Sequence, residues 1–353
     1  MRGLKIGSLF SGYGGLDLGI HQVFKPASTL WVSEFEKAPS RVLAERFPNA
    51  PNLGDVTAVD WSSVEPVDLI CGGSPCQDLS TAGKRAGMKP ETRSGLWESM
   101  LQAIRIIKPS FVVWENVSGA RTAKAFSLME QNLGRVDGAK HTCLRALGRV
   151  LGDLASLGFD ARWQSIRASH VGAAHHRERV FVFAYVRGSE NARQKLEEYA
   201  SALPKLELVL NSKNPVLPTP TASVFGDSDP KKWVERNQKI YDQTGGCYGP
   251  DLATVVQLIK PDDSGKFGAW TPTFERWSKT VGRSCPELLE LNNNGRMVIS
   301  ARFTEWLMGL PDGWITDVAG IGRRTALTMC GNGVVPQQAA AALRLMIKKI
   351  LQG

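Results

Sequence analysis

The sequence is short of several features that would place it at once. No apolar run approaches the roughly 18 to 20 residues that cross a bilayer; its apolar stretches, such as Phe111-Val112-Val113-Trp114, have strand length. The opening residues, Met-Arg-Gly-Leu-Lys, lack the apolar core of a signal peptide, so a soluble, cytoplasmic protein is expected. Cysteine is sparse: six residues, at positions 71, 76, 143, 247, 285 and 330, form no CxxC pair and have no histidine at ligand spacing. That argues against a zinc framework and against a disulfide scaffold. The adjacent pair His175-His176 rarely shares one face, so no metal is expected there either. Internal repeats and low-complexity tracts are absent. Acidic residues are the minority, 34 against 43 Lys and Arg, which leaves a net charge of +9. Such a balance suits a polyanionic partner without requiring one. With 353 residues, 42% of them hydrophobic, the chain can bury one large core or two unequal ones.

The first half alternates between strand-like and helix-like segments. Strands are expected near 5–10, 29–33, 67–71, 111–114 and 180–186, and helices near 16–24, 37–47, 97–107 and 141–157. This alternation with short joins predicts an α/β fold with a doubly wound, mostly parallel sheet. From about residue 187 to 300 the chain turns rich in Pro, Gly, Asn and Asp, with a helical period only near 251–259. That stretch is expected to form a second, smaller and irregular domain. Helices follow near 302–308 and 337–350. The expected divisions are 1–186, 187–315 and 316–353.

Doubly wound sheets bind ligands beyond the carboxyl ends of their strands. Those positions here hold Ser11-Gly12-Tyr13-Gly14-Gly15, Glu34, Gly72-Gly73-Ser74-Pro75-Cys76 and Glu115-Asn116. The first glycine turn lets a cofactor approach the backbone, although it is not GxGxxG and a plain tight turn would look the same. Glu34 stands where an acid accepts ribose hydroxyls; a surface glutamate would also fit. Cys76 begins a stretch with Lys84, Arg85, Lys89 and Arg93, and nearby positive charge favours a thiolate. Glu115 ends a neighbouring strand, and Arg177 and Arg179 precede the last one. Thiol, carboxyl and guanidinium at adjacent strand ends suggest covalent catalysis on a flat polar substrate.

Taken together and in order, these segments resemble the DNA cytosine-5 methyltransferase family. SLFSGYGGLDLG (8–19) is similar to its S-adenosylmethionine loop, GGSPCQDLS (72–80) to its nucleophile motif, and ENV (115–117) to its carboxylate motif. HHRERVF (175–181) is similar to its paired-arginine motif, and GNGVVPQQ (331–338) to its C-terminal cofactor motif. RFTEWLMGLPDGW (302–314) matches the helix before that last motif, while LPTPTA (217–222) and the stretch 267–283 resemble phage and prophage members. The resemblance covers about two thirds of the chain. It implies a Rossmann-like methyltransferase fold, S-adenosylmethionine as co-substrate, double-stranded DNA as partner, and a monomer, in some relatives beside a restriction endonuclease. It implies that Cys76 adds to carbon 6 of a flipped cytosine and Glu115 holds nitrogen 3 and the amino group. Arg179 would meet the ring carbonyl, and Arg177 would hold Glu115 and the loop.

For the cofactor the resemblance points to Phe10, Gly12 and Gly14 at the methionine part, Glu34 at the ribose, and Phe35 stacked on adenine. It adds Asp55 at the adenine amino group and Asn332 at the methionine end. Lys84, Arg85, Lys89 and Arg93 would grip phosphates, though a solvated basic loop reads the same way. Two positions depart from the family: His175 replaces Gln and Gly333 replaces Ser, which touches the seating of substrate or cofactor. Arg236, Asn237, Arg276, Arg283 and Asn292 are candidate base readers, while Trp233, Trp270 and Trp277 are expected in the second domain's core. A tRNA methyltransferase of the same superfamily and a catalytically dead DNA-binding homologue are the alternatives. The stretch 187–300 carries 15 basic and 14 acidic residues, so +8 of the +9 lies outside it. Phosphate binding is therefore expected mainly from the catalytic half, and base reading from the near-neutral stretch.

Overall fold

The computed structural model describes residues 3–74, 96–123, 145–210, 214–221, 235, 251–263 and 265–352. They group into two compact units: 1–166 with 178–206 and 339–353, and 167–177 with 207–338.

The first unit is built on a six-stranded sheet. Its strands are β1 (Leu4–Leu9), β2 (Ala27–Ser33), β3 (Leu69–Gly72), β4 (Phe111–Val117), β5 (Phe159–Arg167) and β6 (Glu178–Val186), in the order β2-β1-β3-β4-β6-β5. β1 pairs in parallel with both β2 and β3, β3 pairs in parallel with β4, and β6 runs antiparallel to β4. The helices α1 (Gly15–Val23), α2 (Lys37–Arg46), α3 (Trp97–Ile107), α4 (Ala146–Ser156) and α5 (Glu190–Ser201) connect or follow these strands. β3 is buried along all four of its residues, as a strand covered on both faces must be. Gly7 in β1 is required by packing: a Cβ there would lie 2.1 Å from the Trp31 ring. Because the chain moves from β1 out to β2 and then back to β3, the sheet has its switch point between β1 and β3. That crevice is the default ligand site of such sheets.

A buried carboxylate ties the first βαβ unit together. Asp17 of α1 is fully buried and accepts from Ser8 Oγ of β1 at 2.8 Å and Thr29 Oγ1 of β2 at 3.3 Å. Burial outweighs these bonds and pushes its pKa from 3.8 up to about 6. The folded state therefore holds this proton more tightly than the unfolded chain does. The resulting stabilisation is complete below 3.8 and is lost as pH rises through about 6. Asp17→Asn should flatten the slope of stability against pH across that window, by on the order of 2–3 kcal/mol relative to the parent. Urea unfolding at pH 4, 5, 6 and 7 (nominal settings of about these values) checks this; parallel slopes for the two proteins would contradict it.

The second unit contains α6 (Leu252–Leu258), α7 (Thr271–Val281), the hairpin β7 (Leu289–Leu291) with β8 (Met297–Ile299), α8 (Ala301–Leu307) and α9 (Arg323–Asn332). Its core is aromatic. Phe274 meets Trp306 edge-on at 5.6 Å, Phe303 stacks on Trp306 at 5.9 Å, and Trp277 Nε1–H donates to the Trp306 carbonyl at 2.9 Å. Trp277 is thus core, as expected; Trp270 is only half-buried, and Trp233 lies outside the described residues. The last helix, α10 (Pro336–Leu351), has a buried face containing Ala339, Leu343, Met346 and Ile347.

The units divide the chain differently from the expected 1–186, 187–315 and 316–353. α5 was placed with the irregular stretch, yet it belongs to the first unit because Ala192, Leu196 and Tyr199 bury there, with Tyr199 edge-on to Phe24 at 5.0 Å. The stretch 316–338 groups with the second unit, where Arg323 Nε donates to the Ile299 carbonyl at 2.9 Å. The stretch after residue 187 is also more regular than expected, since α7 starts at a Thr-Pro pair that reads as a break but places proline in the first turn, where it is tolerated.

Candidate active site at the carboxyl ends of the strands

The loop after β1 bends sharply at its start. Phe10 has φ +53°, Gly12 φ +56° and Gly14 φ +81°. Gly14 also needs its missing side chain, because a Cβ there would stand 2.6 Å from the Phe47 ring. At Gly12 a Cβ would meet nothing within 4 Å, so the backbone borders open space. The Gly12 N–H donates to Glu34 Oε2 at 2.7 Å, and the Glu36 N–H donates to Glu34 Oε1 at 2.9 Å. Glu34, at the end of β2, is buried, and burial raises its pKa above the ordinary glutamate value. The two carboxylate oxygens offer more lone-pair sites than these backbone donors fill, which leaves capacity for a ligand hydroxyl. Beside it, Phe35 is 73% exposed, which suits a stacking surface and excludes a core role. Asp55 is exposed, and its Oδ1 accepts from the backbone and hydroxyl of Thr57 at 2.9 and 2.8 Å. Open backbone, a buried ribose-type acceptor and an exposed aromatic ring fit an adenosine-bearing ligand.

Asn52, which sequence patterns did not single out, holds this arrangement. Its Oδ1 accepts from the backbone N–H of Glu34 and of Gly54, both at 3.0 Å. Its Nδ2 donates to the Glu34 carbonyl and to Ser40 Oγ, also at 3.0 Å. One amide thus uses its full hydrogen-bonding capacity to fix the Glu34 backbone beside the Gly54-Asp55 turn. Asn52→Ala should weaken binding of an adenosine-bearing ligand at this site by about tenfold or more, on the scale of one or two lost hydrogen bonds. Isothermal titration checks it; an unchanged Kd would mean the loop keeps its shape without the amide.

The second cluster surrounds the ends of β3 and β4. Glu115, on β4, is buried, and Arg179 Nε of β6 lies 3.1 Å from its Oε1. The antiparallel pairing of β4 with β6, which sets Glu115 opposite Phe181 and Val117 opposite Arg179, brings them together. β4 continues through Glu115 and Asn116 instead of stopping at Trp114, because this ladder runs to its end. Gly73 makes room for the carboxylate: a Cβ there would lie 2.8 Å from Glu115 Oε2. Ser74 is held by the Trp114 indole and the Asn116 amide. Cys76, Lys84, Arg85, Lys89 and Arg93 lie outside the described residues. The described thiols do not suit nucleophilic chemistry: burial pushes Cys71 and Cys330 well up, and Cys285 to about 12. Among the described residues no group of three or more His, Cys, Asp or Glu could hold a metal ion. No helix among them is long and apolar enough to cross a membrane.

Arg177 belongs to the second unit and has partners of its own there. Its guanidinium donates to the carbonyls of Pro220 at 3.2 Å and Gly331 at 3.1 Å, and also to that of Gly333. Its N–H donates to Thr219 Oγ1 and its carbonyl accepts from Gln338 Nε2, which holds the residue at φ +25°. Within this unit Arg177 thus clamps 219–220, 331–333 and Gln338 together. Asn332 ends α9 and is exposed. His175 is fully buried, and its Nε2–H donates to the Leu307 carbonyl at 3.0 Å.

Of the candidate base readers, Arg283 is engaged with the Leu310 carbonyl and Asp312. Asn292 Oδ1 accepts from the backbone of Asn294 and Arg296, so it shapes the hairpin turn. Arg276 lies on α7, and Arg236 and Asn237 lie outside the described residues.

The model of the C-5 cytosine-specific DNA methylase family matches residues 4–348. The Type II methyltransferases M.NgoBV of Neisseria gonorrhoeae and M.NlaIV of Neisseria lactamica are each 29% identical over 224 residues, 62% of this chain and 49% of theirs. The chain thus spans about half the length of the curated relatives it matches. The S. pombe Dnmt2 methyltransferase has the same fold, with a TM-score of 0.55 at 11% identity over 98% of this chain and 99% of that one.

Proposed function

Because the chain belongs to the C-5 cytosine-specific DNA methylase family, we propose that it methylates carbon 5 of cytosine in double-stranded DNA. The observation that carries this reading is the buried Glu115–Arg179 pair at the ends of β4 and β6, beside the segment that leads into Cys76. Carbon 5 of cytosine is a poor nucleophile. The Cys76 thiolate forms a bond to carbon 6, and the electron pair of the 5,6 double bond becomes available at carbon 5. Glu115 assists by holding a proton at nitrogen 3, which accepts the charge that addition pushes into the ring. Arg179 keeps Glu115 oriented and donates toward the ring carbonyl. When bound, S-adenosylmethionine supplies a methyl group on a sulfonium, which the carbon 5 pair takes as S-adenosylhomocysteine leaves. Removal of the carbon 5 proton by a base then expels the Cys76 thiolate and restores the aromatic ring.

Glu34 accepts from the ribose hydroxyls, Phe35 stacks on adenine, Asp55 accepts from its amino group, and Phe10, Gly12 and Gly14 line the methionine part. The target carbon cannot be reached inside a duplex, so the cytosine is flipped out. Lys84, Arg85, Lys89 and Arg93 grip phosphates, and the second unit reads the flanking bases. The enzyme acts as a monomer in the cytoplasm and needs no metal. An intact Glu115–Arg179 pair weighs against a dead homologue.

Conversion sequencing of DNA from cells expressing the protein tests the reading. Protected cytosines in one recurrent sequence context are expected; uniform conversion would overturn it.

A further inference from the structure

Ser74, just before the segment 75–95, and Trp97, two residues after it, meet at one side chain of β4. Ser74 Oγ accepts the Trp114 Nε1–H at 3.1 Å. Trp97, the first residue of α3, packs edge-on against Trp114, with ring centroids 6.2 Å apart and planes at 73°. A second tether reaches Ser74 from Asn116, whose Nδ2 donates to the Ser74 carbonyl at 3.1 Å. Trp97 is held in turn, because its Nε1–H donates to Asp153 Oδ2 at 2.8 Å, and Asp153 also takes Arg149 Nε at 3.3 Å. Ser74, Trp97, Trp114 and Asn116 are all buried.

We propose that Trp114 is a positioning residue for the nucleophile, acting through its bond to Ser74. The argument is one of satisfaction. A buried indole N–H demands a partner, and the Ser74 hydroxyl is the one it has. The Asn116 amide meanwhile holds the carbonyl of the same residue. Rotation of Ser74 therefore breaks two buried hydrogen bonds at once, and the backbone is fixed two residues before Cys76. Phenylalanine at 114 would fill most of the same volume and pack on Trp97, yet leave the Ser74 hydroxyl without this donor. Catalysis by a thiolate that must meet carbon 6 is sensitive to such a change, since a displacement of about 1 Å can cost on the order of 100-fold.

This inference rests on the proposed function, and the test separates the two. Single-turnover methyl transfer from radiolabelled S-adenosylmethionine to duplex DNA is measured for the parent, Trp114→Phe, Ser74→Ala and the double variant. Both single variants are expected to lose about tenfold or more in rate, with Kd for cofactor and for DNA within about twofold. The double variant should be no slower than the slower single one, because both substitutions remove the same bond. A merely structural role would lower the melting temperature and both affinities along with the rate. Rates within about twofold of the parent in the single variants, or losses that multiply in the double, would overturn the inference. Should Trp114→Phe fail to fold, Ser74→Ala, which removes one oxygen, decides alone. No methyl transfer by the parent protein would overturn the proposed function and this inference with it.

Discussion

Glu115→Gln is expected to lower methyl transfer by about 10²- to 10⁴-fold while leaving the affinity for S-adenosylmethionine within about twofold. The size follows from what the carboxyl does. Addition of the thiolate to carbon 6 drives negative charge onto nitrogen 3, and a positioned acid relieves it. The amide keeps the shape and some hydrogen bonding but cannot supply that proton. Cofactor binding is spared because Glu115 stands on β4, with β1 and β3 between it and β2, the strand that ends at Glu34. Some stability is lost as well, because the substitution removes the charge that lies 3.1 Å from Arg179 Nε. That loss should be on the order of 1–3 kcal/mol, so the assay belongs at a temperature where the variant is folded. Single-turnover rates beside titration of the cofactor separate the two effects. Equal losses of rate and of cofactor affinity would mean that Glu115 shapes the fold and not the chemistry.

The second large effect is one of stability. Arg177→Ala removes a guanidinium that donates to the carbonyls of Pro220, Gly331 and Gly333, all within the second unit. Hydrogen bonds to a charged donor are individually strong, and the carbonyls left behind are partly or wholly buried. The expected cost is on the order of 3–5 kcal/mol, at the upper end for a single substitution. Arg179→Ala should behave differently, with a smaller loss of stability and a larger loss of rate, because its partner is Glu115. Thermal unfolding of the two variants side by side checks this. A melting temperature for Arg177→Ala equal to that of the parent, together with lost activity, would move Arg177 from clamp to catalytic group.

How much of this could be seen in the sequence depended on the range of the interaction. The succession β1-α1-β2-α2 was legible because apolar runs and the Ser11–Gly15 turn are local signals. Glu34 was legible for the same reason, as an acid at a strand end. β5 was missed because Phe159–Arg167 has no apolar alternation, and as an edge strand it leaves Trp163 45% exposed. α5 is largely polar and lies in the stretch expected to be irregular, although Ser189 caps it by accepting from the Ala192 N–H. Asn52 and Trp114 were out of reach, because nothing local marks an amide that bonds residues 12 and 18 positions away or an indole that meets a serine 40 positions away. Arg177 is a functional candidate by its motif, while its bonds to the carbonyls of Pro220, Gly331 and Gly333 span 43 to 156 positions and have no local signal.

The central claim is covalent catalysis through Cys76, and one measurement tests it most directly. Duplex DNA carrying 5-fluorocytosine at the target position blocks the final elimination, because carbon 5 then bears fluorine where a proton must leave. Incubated with such DNA and S-adenosylmethionine, the protein should form an adduct that survives denaturation. Mass spectrometry should find the DNA on the peptide containing Cys76, and Cys76→Ala should form none. An adduct that persists in Cys76→Ala, or methylation of ordinary DNA by that variant, would contradict the account.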